Sequence, residues 1–225
     1  MNKQDQIKIY IIFGVVFLAL MLGMHSKNLY EEELREELRI TNAQKDAQIK
    51  ALQEEKAELQ IVVDEVEDAE VFIRMVNPGI SVSEAHTLAV RQVAKARKYN
   101  IPRELIAYRD WAEADLHWLD ANRKGPCGEH STAQVWRPTF YALRPTGDYN
   151  DMDQVYDAGT QYLADCYRTA QRWLGDADKT AVYRLTLAFY NAGMRHKPQV
   201  ALYRARAHVR RVDGILAKAE RLGVV

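Results

Sequence analysis

One glutamate on a predicted helix is the residue of this 225-residue chain best suited to acid–base chemistry. Glu113 lies two positions after Trp111 and five before Trp118, on a helix rich in apolar residues. Burial among aromatic side chains disfavours the charged form of a carboxyl and raises its pKa. A carboxyl that stays protonated near neutral pH can act as a general acid. Glu113 is therefore a candidate proton donor, although a solvated glutamate on an amphipathic helix has the same local pattern.

Four further segments follow Glu113 in a defined order. A turn at Gly125-Pro126-Cys127-Gly128 leads to Gln134-Val135 and Pro138-Thr139. Residues 156–163 read Tyr-Asp-Ala-Gly-Thr-Gln-Tyr-Leu, residues 187–193 read Leu-Ala-Phe-Tyr-Asn-Ala-Gly, and residues 203–212 begin with Tyr and end with Val. In this order the segments resemble the motifs of the soluble lytic transglycosylase family, whose lysozyme-like domain cleaves the glycan strands of peptidoglycan. The resemblance covers nearly all of residues 80–222.

The resemblance implies roles for the matching positions. Glu113 would be the single acid/base, which protonates the oxygen between N-acetylmuramic acid and N-acetylglucosamine. It would then take the proton of the muramic C6 hydroxyl as that oxygen closes onto C1 and leaves a 1,6-anhydro end. Gln134 would line the sugar groove, and Tyr190 and Asn191 would orient Glu113 or the acetamido group of the substrate. The family needs no metal and no cofactor for this reaction.

The chain departs from the family pattern at two places beside the glutamate. Ala114 stands where the family has serine, and Ser131-Thr132-Ala133 replaces Gly-Leu-Met before Gln134. These changes keep open a non-catalytic alternative, a coiled-coil membrane or virion structural protein whose lysozyme-like domain only binds glycan. A hydrolytic muramidase is a second alternative and would need a second carboxylate. Asp115 lies two residues from Glu113 and so points away around the helix, which favours the one-carboxylate reaction.

The N-terminal third predicts how this domain is held. Residues 9–24 are uncharged and apolar, about the shortest length for a membrane-spanning helix. Lys3 and Lys8 precede the run and favour a cytoplasmic N-terminus. We expect an uncleaved signal anchor over residues 1–27, since the run ends poorly for signal-peptide cleavage. The chain would then span the cytoplasmic membrane once, with its catalytic part on the periplasmic side, unless it belongs to a phage virion.

Residues 28–75 predict a long helical stalk, because they contain no proline or glycine and are rich in strong helix formers. Steps of three and four between apolar residues suggest a heptad seam from Ile49 to Ile73, interrupted at Lys56 and Glu70. The stalk could therefore form a homo-oligomeric coiled coil or act as a single helical spacer. Asn77-Pro78-Gly79 ends the helix, so the predicted domain occupies residues 76–225.

The predicted domain is entirely helical, which makes the fold class mainly α. Ser81 and Glu84 form a capping-box pattern before a helix that runs to about residue 99. Pro102 starts a helix that reaches about residue 119. Further helices are expected at about 153–174, 179–190 and 199–222.

Charge and the remaining reactive residues limit the other function classes. Residues 28–75 carry 14 acidic and 6 basic side chains, whereas residues 76–225 carry 16 acidic and 22 basic ones. A mildly basic domain suits an anionic polymer or membrane surface, but no nucleic-acid motif accompanies it. Cys127 and Cys166 could form one disulfide outside the cytosol or remain two thiols. Three histidines have spacings that match no helical pair of metal ligands, namely His117, His130 and His196.

Overall fold

The described part of the chain consists of helices and the short segments that connect them. The computed structural model describes residues 3–114 and 133–221, apart from the side chains of residues 3–13, 29, 114 and 219. These residues form eight helices and no extended strand, which confirms the mainly α fold class. In chain order the helices are α1 (Lys3–Val76), α2 (Val82–Tyr99), α3 (Arg103–Ala114), α4 (Arg137–Leu143), α5 (Met152–Leu174), α6 (Lys179–Ala192), α7 (Pro198–Arg204) and α8 (Arg206–Arg221).

The chain divides into two compact units after Gln60, inside α1. In the first unit, residues 1–60, the described residues form one helix, and the described side chains are exposed. Some acidic and basic side chains pair along its surface, for example Arg39 with Glu36 at 2.7 Å. Its apolar residues Ile49, Leu52 and Leu59 are all more than half exposed. The heptad seam is thus open to solvent in this unit, and a partner for it remains a prediction.

The predicted membrane anchor coincides with the start of α1. Among the residues whose side chains are described, no helix is apolar over a length that could cross a bilayer. Residues 9–13 of the predicted anchor lie outside that set.

The second unit, residues 61–225, begins with the last turns of α1. Three buried side chains of the predicted stalk pack against α2 and join one apolar cluster with its inner face: Val66, Ala69, Ile73, Ala85, Leu88, Ala89 and Val93. Phe72 and Val76 enter the main core in the same way. The seam of the stalk is therefore used within the chain from Val66 onward.

Local signals place α2 and α3 where the sequence predicts them. The Ser81 hydroxyl accepts from the Glu84 backbone N–H at 3.2 Å, and the Glu84 carboxylate accepts from the Ser81 N–H at 3.1 Å. Asn100 closes α2 in the left-handed conformation with φ of 51°, which asparagine tolerates better than most residues. The capping box thus fixes where α2 begins, and the Asn100-Ile101-Pro102 break fixes where α2 ends and α3 begins. Helix α3 carries Glu113.

The helices α5, α6 and α8 complete the core around α3. Helix α5 is buried along most of one face. In α6, eight of the nine residues from Val182 to Tyr190 are buried. The prediction of a single helix at 199–222 misses a break, because the chain leaves α7 at Ala205 and starts α8 at Arg206. The short helix α4 was not predicted, since Arg137–Leu143 is too brief for a periodic pattern.

A buried ion cluster connects α3 to α2 and α5. Arg109 and Asp110 are both fully buried, and Arg109 Nε donates to Asp110 Oδ1 at 2.8 Å. The other carboxylate oxygen accepts from Tyr156 Oη at 2.7 Å and from Gln92 Nε2 at 3.1 Å. Arg109 also donates to Thr160 at 3.2 Å. We call these five residues the Asp110 cluster. It fixes α3 one turn before Glu113.

Candidate functional site

Glu113 lies in the last turn of α3, close to residues of α8 and α6. Its side chain is 15 % exposed, and Oε1 is 3.7 Å from Nδ1 of His208 on α8. Arg211, one turn further along α8, donates to the carbonyl oxygen of Ala112 at 3.3 Å. Helix α8 therefore approaches α3 directly at the glutamate. The predicted acid is neither a freely solvated surface residue nor fully enclosed.

His208 on α8 is a titratable neighbour of Glu113. Burial lowers the pKa of His208 to about 4, and the positive charge of Arg211 adds to the effect. The imidazole is therefore neutral near neutral pH, so its contact with Glu113 is not an ion pair there. Within the described residues its Nε2 is buried and has no hydrogen-bond partner.

Tyr190 reaches the same region from the end of α6. Its hydroxyl donates to the carbonyl oxygen of Ala133 at 2.6 Å, and its ring lies 5.8 Å from the Arg109 guanidinium carbon. Burial raises the pKa of Tyr190 well above its ordinary value; the charge of Arg109 opposes this, and those of Glu113 and Asp110 reinforce it. The phenol is thus a permanently protonated donor that holds the backbone just before Gln134.

Gly159 on α5 lets residues 133–135 approach the helices closely. A Cβ at this position would lie 2.6 Å from Val135 Cγ2, 2.7 Å from Ala133 Cβ and 3.1 Å from the Tyr190 hydroxyl. No other residue has room for its side chain there, so glycine is required by packing. Gln134 lies between Ala133 and Val135, has a positive φ of 45° and is partly exposed.

A second charged cluster lies at the start of α5. Asp157 accepts hydrogen bonds from Lys98 at 2.8 Å, from Arg144 at 2.7 Å and from Lys95. Burial alone would raise the pKa of Asp157, but these hydrogen bonds outweigh it and hold the pKa well below its usual range. The aspartate is therefore a constant anion that ties α5 to α2 and to Arg144 after α4.

The sequence-predicted residues are brought together only in part. Glu113, Tyr190 and the segment that contains Gln134 converge, whereas Asn191 is exposed on the last turn of α6. Cys166 is buried on α5, and burial raises the pKa of its thiol. Its proposed disulfide partner Cys127 lies outside the described residues, as do Asp115, Trp118, His117, His130 and the Ser131-Thr132 pair. The disulfide remains a prediction.

Sequence reasoning missed three residues next to the site: His208, Arg109 and Asp110. A signal for His208 existed, because it occupies an apolar stripe of α8 together with Val212 and Ile215, both buried, in line with the buried Ala205 just before the helix. A polar residue in such a stripe needs a reason to be there. Arg109 and Asp110 carried no comparable signal, since adjacent charges on a helix are usually solvated.

The described part of the site offers one partly buried carboxyl with a neutral imidazole and a protonated phenol nearby. This set can donate and recover one proton at a single carboxyl. Among residues 3–114 and 133–221, no three His, Cys, Asp or Glu side chains are grouped to hold a metal ion. No protein-family model, curated protein or solved structure matches the chain.

Proposed function

We propose that this protein is a peptidoglycan lytic transglycosylase in which Glu113 is the single acid/base. The observation that carries the proposal is a convergence. Segments chosen from the sequence for their order and motif types meet around one carboxyl, through Tyr190 on Ala133 at 2.6 Å, Gly159 against residues 133–135, and His208 at 3.7 Å from Glu113. They are separated by up to 95 positions in the chain, so their sequence order alone does not require them to meet.

The reaction needs one proton to move twice. Protonated Glu113 gives its proton to the glycosidic oxygen, and the bond from that oxygen to C1 of the muramic residue breaks with its electron pair on the oxygen. The Glu113 carboxylate then takes the proton of the C6 hydroxyl while O6 forms a bond to C1. The products are an N-acetylglucosamine end and a 1,6-anhydro-muramic end, and Glu113 is protonated again.

The neighbours of Glu113 support this use of one carboxyl. Asp110 is the nearest described acid on α3, but it is buried in an ion pair with Arg109 and cannot serve as the base or nucleophile of a hydrolase. Tyr190 acts on the backbone before Gln134 and so positions the groove rather than reacting. Asn191 is exposed and is free in space to meet the acetamido group of a sugar.

The setting at the membrane is a separate part of the proposal. The uncharged residues 9–24 and the exposed helix that follows support a tether that holds the domain outside the cytoplasmic membrane. Membrane fractions washed with alkaline carbonate test it: the full chain should stay in the pellet, and a variant with Phe13→Lys and Phe17→Lys should move to the supernatant. A wild-type chain that washes out contradicts the tether without bearing on the chemistry.

Purified peptidoglycan sacculi test the reaction itself. The full chain is used, because Ile73 and Val76 of α1 are buried against the domain. We expect soluble 1,6-anhydro-muropeptides by mass spectrometry, lost by a factor of about 10²–10⁴ in Glu113→Gln. Glu104→Gln is the matched control on the same helix, where the side chain pairs with Lys179 near the surface.

Three results would contradict the proposal. Products with reducing ends would identify a hydrolytic muramidase. Equal digestion by wild type and Glu113→Gln would remove the glutamate from the reaction. Binding to sacculi with no soluble product would identify the non-catalytic glycan-binding alternative.

A further inference from the structure

His208 has features that core packing does not explain. It is 7 % exposed, and replacing it by an apolar residue would remove a buried polar group. Within the described residues Nε2 has no partner, an arrangement that lowers the stability of the folded state. A buried polar group without a partner calls for an explanation, and a role in catalysis is one.

The orientation of the ring follows from the two nitrogens. A buried N–H without an acceptor is rarer and costlier than a buried lone pair without a donor. The proton of the neutral imidazole therefore belongs on Nδ1, the nitrogen that faces Glu113 Oε1 at 3.7 Å. This leaves a lone pair, not an N–H, at the unpartnered Nε2.

The backbone around the pair is fixed from both sides. Arg211 on α8 donates to the Ala112 carbonyl, and the Asp110 cluster holds α3 one turn earlier. Among residues 3–114 and 133–221, the charged and titratable groups at this point include Glu113 on α3, Arg211 on α8 and Tyr190 on α6. A movement of about 0.5–1 Å by the Glu113 side chain alone would bring Oε1 within hydrogen-bond distance of Nδ1. Hydrogen bonds of catalytic groups are often long in the free enzyme and tighten when substrate binds.

We propose that His208 is a positioning residue for Glu113, whose Nδ1–H binds Oε1 once a glycan strand fills the site. The inference rests on the proposed function. A neutral donor suits both states of the carboxyl, because it can bond the carbonyl oxygen of the acid and either oxygen of the carboxylate. A cationic imidazole would hold Glu113 as the carboxylate and oppose proton donation. The low basicity of the buried His208 is thus part of its role.

Two substitutions separate positioning from packing. His208→Asn keeps an N–H donor close to the place of Nδ1, and His208→Leu removes the donor at similar volume. In sacculus digestion we expect His208→Leu to lose about 10–10²-fold in kcat, with KM within twofold of wild type. His208→Asn should recover at least a third of the wild-type kcat. His208→Leu should also unfold at an equal or higher temperature than wild type, since it removes the unpartnered nitrogen.

The stability measurement distinguishes the two explanations. A merely structural histidine would give a His208→Leu protein with a lower unfolding temperature and a parallel loss of activity, and the proposal would then be overturned. Full activity in His208→Leu would overturn it as well, and so would an equal loss in both variants.

Nuclear magnetic resonance tests the geometry without using activity. In full-length protein labelled with ¹⁵N-histidine at pH 7, the signal absent from His208→Asn belongs to His208 and should show a proton on Nδ1. The same signal should shift in Glu113→Gln. An Nε2–H tautomer, a cationic ring, or shifts unchanged by Glu113→Gln would overturn the inference whether or not the protein cleaves peptidoglycan. A wild type that releases no product but shows the Nδ1 proton and the shift would instead overturn only the proposed function.

Discussion

Two acidic residues lie one turn apart on α3, and their surroundings differ sharply. Asp110 is fully buried, and both of its oxygens accept hydrogen bonds from Arg109, Gln92 and Tyr156. Glu113 is 15 % exposed and faces a neutral histidine across 3.7 Å. On the same helix, the Asp110 carboxylate is paired with the buried Arg109 guanidinium. Glu113 instead lies beside His208, whose Nε2 has no hydrogen-bond partner within the described residues.

The difference separates structure from chemistry on one helix. Asp110 has a full set of hydrogen-bond donors and a guanidinium partner, so its carboxylate holds α3 to α2 and α5. Glu113 lies at the edge of the core, where its carboxyl is partly exposed and lies beside a neutral imidazole. The Asp110 cluster holds the helix, and its rigidity places Glu113. Within the described residues the cluster has one unpartnered atom, Gln92 Oε1, which does not touch the carboxylate.

The largest effect on stability should come from Asp110→Asn. The substitution keeps the shape but leaves the Arg109 charge buried without its anion, which should cost about 3–5 kcal/mol of unfolding free energy. Urea unfolding followed by tryptophan fluorescence measures it. Glu113→Gln in the same assay should lose less than about 1 kcal/mol. Similar losses for the two variants would remove the contrast between the acids.

A double variant sharpens this result. Arg109→Met with Asp110→Leu removes both charges together and should be more stable than Asp110→Asn alone, because no buried charge is left uncompensated. A double variant that is less stable than Asp110→Asn would mean that hydrogen bonds to Thr160 and Tyr156, rather than charge pairing, dominate the cluster.

The second largest effect concerns pH and the histidine beside Glu113. The pKa of His208 is about 4 in the folded protein, against an ordinary 6.5, so between these values the unfolded state binds a proton that the folded state does not. Stability is therefore complete above pH 6.5 and falls toward pH 4, by about 3 kcal/mol in total. Subtracting the pH profile of His208→Leu from that of wild type isolates this slope. A flat difference between pH 6.5 and 4 would show that the histidine is not buried as a neutral group.

The comparison also explains how far the sequence could be interpreted. The Ser81–Glu84 capping box, the start of α3 after Pro102 and the apolar face of α2 were predicted because each depends on residues within a turn or two. The motif order predicted that Glu113, Gln134 and Tyr190 belong together. The Arg109–Asp110 pair was missed, because its burial depends on α2 and α5 packing around α3, through contacts between residues 18 to 51 positions apart that no local pattern records. His208 left only the weaker signal of a polar residue in the apolar stripe of α8.

The third prediction uses two helical glycines with opposite surroundings. Gly159→Ala would place a methyl group 2.6 Å from Val135 and 2.7 Å from Ala133, and should cost about 1–3 kcal/mol by overpacking. Gly214→Ala on α8 meets nothing within 4 Å and should gain about 0.5–1 kcal/mol from helix propensity. Thermal unfolding of the two variants should therefore shift in opposite directions. A stabilised Gly159→Ala would mean that residues 133–135 can move away from α5.

The smallest effect isolates one hydrogen bond between α6 and the segment before Gln134. Tyr190→Phe removes the hydrogen bond to the Ala133 carbonyl, which should cost about 0.5–1.5 kcal/mol without changing the packing of the ring. Tyr203→Phe is the control, because Tyr203 is 69 % exposed and should change stability by less than about 0.5 kcal/mol. If Tyr190 positions the groove, Tyr190→Phe should raise KM for peptidoglycan more than it lowers kcat, since Gln134 would shift while Glu113 keeps its place on α3. A loss confined to kcat would instead mean that the Tyr190 hydroxyl acts on Glu113 itself. Tyr190 would then belong with Glu113 in the reaction, whereas Asp110 would keep its structural role on α3.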